Sequence, residues 1–115
     1  MDNKGELIIA IVNKGYSDLV MAAAVKGGAR GGTIFNAHGT GNPEMEKFFG
    51  VPIHPEKEMV FIIVDKKIKD KCLLNIYQDA GLESKGQGIA FSLPVEDMVG
   101  FTPIQKEENK EEETK

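Results

Sequence analysis

The sequence predicts an α+β domain, a four-stranded antiparallel sheet with two helices on one face. Two observations carry this expectation. Short β-rich runs alternate with helical segments in the order β-α-β-β-α-β. Two of those runs, Leu7–Val12 and Met59–Val64, are apolar at every position, as central strands covered on both faces are.

Each element has a local reason. Leu7–Val12 (LIIAIV) is short, rich in β-branched residues and unbroken by polar ones, so it reads as a buried strand. Ser17 or Asp18 can cap a helix running to Lys26, and Gly27-Gly28 end it. Leu19, Val20, Ala23, Ala24 and Val25 fit one broad apolar face of that helix. A glycine-dense turn, Gly27 to Gly32, leads into a second strand, Thr33–Ala37. Residues Gly39 to Lys57 show no clear periodicity and read as a long loop. Met59–Val64 (MVFIIV) is the third strand. Asp65 caps a second helix over about Lys66–Ala80, which sets Ile68, Cys72, Ile76 and Ala80 on one face, and Gly81 ends it. A fourth strand runs near Ile89–Leu93, and Pro94 limits it to a few residues or to an edge. This is the order of the ferredoxin-like split βαβ sandwich, in which the first and third strands are the central pair.

Helices cover only one face of such a sheet. Leu7, Ile9 and Ile11 point one way and Ile8, Ala10 and Val12 the other; Met59, Phe61 and Ile63 likewise oppose Val60, Ile62 and Val64. Both faces therefore demand burial, and packing of sheet on sheet in an oligomer supplies it. The alternative cover is the long loop or the tail folding over that face. The loop, GTGNPEMEKFFGVPIHPEK, carries Phe48-Phe49 and Val51-Pro52-Ile53, too apolar for a plain linker and suited to docking.

The chain of 115 residues is one domain's worth. Residues 1–104 form the expected domain. Residues 105–115, QKEENKEEETK, hold three Lys and five Glu and no apolar side chain, and read as a solvated tail. A net charge of −4 without a basic block argues against nucleic-acid binding. The longest apolar runs have six residues, far short of the ~20 of a membrane helix. One cysteine and an acidic N-terminus without a signal-like pattern fit a cytoplasmic protein.

Catalytic signatures are thin, so no catalytic residue is expected and the chain reads as a non-enzyme. The two histidines, His38 and His54, stand at a strand end and in the loop, and Cys72 sits on the apolar face of a helix. Together they form the weak basis of an alternative reading, a metal-binding or metal-tolerance protein on the same fold. No HExxH or Walker A pattern occurs. Glycine gives more: of 13, most cluster at 27/28/31/32, 39/41 and 86/88, each beside a strand end. Such clusters free the backbone to turn several N–H groups toward an anion, with Arg30, Lys57 and Lys85 nearby. On that reading Gly88→Val blocks binding.

The segment GARGGTIFNAHGTG (Gly28–Gly41), the lysine before the third strand (Lys57) and Gly86-Gln87-Gly88 resemble, in order and spacing, the PII nitrogen-regulatory signalling proteins, and more closely their PII-like relatives. The resemblance covers residues 5–101. It implies a homotrimer whose three sheets pack around the axis. It also implies adenine-nucleotide binding in clefts between subunits, and a T-loop, here 39–57, that contacts a regulated transporter or enzyme in nitrogen metabolism. By position, Thr33 matches the threonine near the adenine, Gly39 and Gly41 the glycines of the loop base, and Lys57 the lysine at the loop end. Gly86, Gln87 and Gly88 match the phosphate-contacting turn. The family's GDGK is here Gly86-Gln87-Gly88-Ile89, its two arginines after the fourth strand correspond to Gly100 and Thr102, and its metal-binding glutamine falls near Pro43. The loop has no tyrosine to modify. Losing three cations favours a less charged ligand than ATP, such as AMP, ADP or a cyclic nucleotide, over ATP with 2-oxoglutarate.

Overall fold

The computed structural model describes residues 5–40, 43–51 and 54–101; Gly41 and the expected tail 105–115 lie outside them. The elements are β1 (Gly5–Asn13), α1 (Ser17–Lys26), β2 (Thr33–His38), α2 (Pro43–Phe49), β3 (Glu56–Asp65), α3 (Lys69–Asp79) and β4 (Gly88–Val95), with a 3-10 turn, Lys66–Ile68, leading into α3. The strands form one antiparallel sheet in the order β2-β3-β1-β4. This is the expected ferredoxin-like arrangement, with the two all-apolar strands at its centre.

The register sorts the apolar residues into two sets. Ile8, Ala10 and Val12 of β1 and Val60, Ile62 and Val64 of β3 are buried under the helices. Val20, Ala23 and Ala24 of α1 and Cys72, Ile76 and Ala80 of α3 complete that core. The helical stripe of α1 is narrower than its sequence suggests, because Leu19 and Val25 face outward. Gly27 lets α1 end hard against α3: a Cβ there would lie 2.9 Å from Cys72 Sγ.

The opposite set lines the other face of the sheet. Ile9 pairs with Phe61 and Phe91, Leu7 with Ile63 and Leu93, and Ile11 with Met59 and Ile89. Phe35 of β2 joins them, its ring 5.0 Å from that of Phe61. The described residues leave this face open: Phe35, Ile63, Ile89, Phe91 and Leu93 keep between 38% and 58% of their surface exposed.

Three local expectations are corrected. The loop is not irregular throughout, because residues 43–49 form α2 and β3 begins at Glu56. Seven residues are too few for a period of 3.6 to declare itself in the sequence. Phe48 and Phe49 of α2 pack on each other, with centroids 5.0 Å apart, and remain exposed. The fourth strand runs past its expected end at Leu93, through Pro94 to Val95, and lies at the edge of the sheet as the proline led one to expect.

The third correction concerns the start of α1. Neither Ser17 nor Asp18 caps it; Tyr16 occupies the cap position without a side-chain bond. The acceptor comes from β3 instead. Glu58 Oε1 takes the backbone N–H of Gly15 at 2.8 Å and of Ser17 at 3.1 Å. Those backbone bonds and the Ser17 hydroxyl hold the Glu58 carboxyl below the usual carboxylate range. By contrast Asp65 caps the next turn as expected, accepting from Lys67 N at 2.9 Å.

Glu58→Gln should lower stability at pH 7 by about 0.5–1 kcal/mol, the lower part of the capping range because solvent screens the group. The folded-state pKa is depressed, so the contribution is full above the ordinary glutamate value and disappears as pH falls through the folded one. Urea unfolding of wild type and variant should therefore differ at pH 7 and converge as the pH falls through the depressed folded-state value.

Candidate functional site

One end of the sheet gathers four chain segments. There β1 ends at Asn13, β2 ends at His38, β3 begins at Glu56 and β4 begins at Gly88. Asn13 and Lys57 are directly paired across β1 and β3, and Val12 faces Gly88 across β1 and β4. The sequence separation of these residues hides the cluster; only the register assembles it.

Asn13 is its hub. Lys57 Nζ donates to Asn13 Oδ1 at 2.6 Å. Asn13 Nδ2 donates to the Gly86 carbonyl at 3.3 Å and to Gln87 Oε1 at 3.4 Å. The stem of the 39–57 segment is thus tied through one amide to the turn before β4. Gly39 lies against Lys57, and its N–H donates to the Pro55 carbonyl at 2.8 Å. Sequence reasoning missed Asn13, because a polar residue after an apolar strand is ordinary and its partners stand 44 and 73 positions away.

Of the expected site residues, Lys57, Gly39, Gly86, Gln87 and Gly88 come together here. Gly41 lies outside the described residues. Thr33 does not join them: it pairs with Phe61, whereas Ala37 pairs with Lys57, four residues and ~13 Å along the sheet. Thr33 lines a separate open groove of about 600 Å³ with Arg30, Gly32, Phe35, Phe61 and Phe101. Cys72 is equally remote from both histidines' stem. It is fully buried, its Sγ 3.5 Å from the Ala24 carbonyl, and burial pushes its thiol pKa up. Among the described residues no three His, Cys, Asp or Glu side chains converge as a metal cluster.

This architecture has clear relatives. The family profile of nitrogen regulatory protein P-II matches residues 5–103. The chain belongs to the P-II family. Arabidopsis thaliana PII bound to citrate is similar at 26% identity, with a TM-score of 0.66 over 85% of this chain and 83% of that one. The B. subtilis GlnK–ATP complex shares the fold at 18% identity and a TM-score of 0.64, over 83% and 84% of the two chains. No curated protein matches the sequence significantly. The family is one of nitrogen-regulatory signalling proteins.

The glycines of this P-II chain differ in what they require. Gly88 has φ +144°, and a Cβ there would run into the backbone carbonyl of Ile11 and come within 3.0 Å of Val12 Cα. Its lack of a side chain is needed for β4 to lie on β1. Gly88→Val therefore perturbs the sheet and cannot report on a ligand alone. Gly86 has φ +85° with nothing within 4 Å of a Cβ, so its constraint is conformational only. Gly32 resembles Gly88, since a Cβ would meet the Phe61 carbonyl at 2.8 Å.

Gly86→Ala should cost about 1–2 kcal/mol, the penalty for a left-handed alanine. Gly88→Ala should cost clearly more, because backbone must move. Chemical denaturation of the two variants side by side checks the order, and equal losses would contradict it.

Proposed function

We propose that this P-II chain is a non-enzymatic cytoplasmic regulator that acts as a homotrimer. It binds an adenine nucleotide in the clefts between subunits and controls a transporter or enzyme through the 39–57 loop. Thr33, Gly39, Gly41, Lys57, Gly86, Gln87 and Gly88 are its ligand-binding residues.

The observation that carries this reading is the Lys57–Asn13–Gly86/Gln87 network. A ligand that takes the Lys57 ammonium or reshapes the 86–88 turn must break or re-form these bonds, and Lys57 is part of the loop's stem. The ligand then favours one loop state over another, which is all that a population shift requires. Two further points support assembly of more than one copy, and the family resemblance suggests three. The apolar face of the sheet needs a cover, and the Thr33 groove and the Lys57 cluster stand at different ends of one chain. A cleft using both draws them from different subunits. The relatives lend support: one was solved with citrate and another with ATP.

Ile89, Gly100 and Thr102 stand where the resemblance expects cations, so AMP, ADP or a cyclic nucleotide should bind better than ATP. Calorimetric titration with these ligands tests the reading. Lys57→Ala should weaken the best of them by about 1–3 kcal/mol, and Gln87→Ala by less. Gly86→Ala should weaken it while the oligomer persists. A ligand bound equally well by wild type, Lys57→Ala and Gly86→Ala would place the site elsewhere.

A further inference from the structure

The two stems of the loop carry the chain's two histidines, outside the Asn13 network. His38 closes β2 and His54 stands two residues before β3. Their ring centroids lie 5.6 Å apart, with 72° between the planes. Both residues are exposed. The backbone beneath them is fixed, since Gly39 N donates to the Pro55 carbonyl at 2.8 Å and His38 is paired in register with Glu56. The pair is therefore held by the sheet, although sixteen positions separate its members in the sequence.

That separation suits a shared ion. Metal–nitrogen bonds of about 2.0–2.1 Å put the centroids of two imidazoles on one ion ~5–6 Å apart. Ring orientation is set by χ2, a soft torsion, so both nitrogen edges can turn to a common point while the backbone stays in place. Glu56, paired in register with His38, is engaged by Lys14 at 3.2 Å in an exposed ion pair, and the two imidazoles are the nitrogen donors at hand.

We propose that His38 and His54 together bind one divalent ion of the zinc, nickel or copper class, with solvent completing its coordination. Imidazole donors suit these ions, whereas magnesium prefers oxygen ligands. The ion would clasp the two stems and bias the loop by a route independent of the 86–88 turn. The proposal does not rest on nucleotide binding, and Cys72, buried under the helices, takes no part in it.

The test uses the full chain without an affinity tag, titrated calorimetrically with Ni²⁺, Zn²⁺ and Mg²⁺. Ni²⁺ and Zn²⁺ should each give a saturable site of one ion per chain, and Mg²⁺ none. His38→Ala and His54→Ala should each weaken Ni²⁺ at least about tenfold, the scale of losing even a supporting residue at a metal site. Cu²⁺ electron paramagnetic resonance should show nitrogen coupling that falls in either variant. Both side chains are exposed, so folding of the variants is checked simply by circular dichroism. Absence of saturable Ni²⁺ and Zn²⁺ binding, or binding that survives either substitution, overturns the proposal and leaves an ordinary ring contact.

Discussion

The rest of the structure depends on a sheet whose two central strands, β1 and β3, are apolar on both faces. A strand alternates its side chains, so a single layer of helices can satisfy only half of them. Ile8, Ala10, Val12, Val60, Ile62 and Val64 are satisfied that way. Ile63, Phe91, Leu93 and their neighbours on the other face are not. The register cannot slip to relieve this, because a shift by one residue only exchanges two equally apolar sets. Among the described residues nothing covers that face, and a copy of the same sheet has the matching chemistry. At roughly 25 cal/mol per Å², burying an ordinary subunit face of ~800 Å² is a large driving force, even after association entropy is subtracted.

The same constraint shapes the site. A sheet apolar on both faces leaves the polar work to strand ends, and that is where the unusual polar contacts lie. Glu58 reaches from β3 to hold the start of α1. One residue earlier, Lys57 reaches Asn13 and through it the turn before β4. Adjacent residues on one strand thus serve opposite faces, Glu58 for the fold and Lys57 for the candidate site. The loop springs from this same end, its stems joined by the Gly39–Pro55 hydrogen bond.

Much of this was legible in the sequence, and the reasons are physical. All-apolar runs mark central strands, and the four-residue spacing of Cys72, Ile76 and Ala80 marks a core face; all three are buried as that spacing requires. What stayed hidden depends on register or on very short elements. The cap of α1 comes from Glu58, more than forty residues away, and local capping rules look only to Ser17 and Asp18. Asn13 gains its role only when β1, β3 and the 86–88 turn are aligned. Helix α2 is too short to announce a period. The glycines of the sequence motif carry two meanings that composition cannot separate: Gly86 has open space around it, whereas Gly88 is required by the backbone of β1. Thr33 matches the site by position in the sequence yet stands away from Lys57 within one chain.

The claim at the centre is that the open face is an interface between copies of this chain. Sedimentation equilibrium of the wild type and of Ile63→Asp tests it most directly, since Ile63 is 42% exposed and its replacement leaves the helix-covered core untouched. The account predicts a wild-type species of three 12.6 kDa chains, and a folded Ile63→Asp protein that dissociates. A wild type that sediments as a stable, monodisperse 12.6 kDa monomer would contradict it.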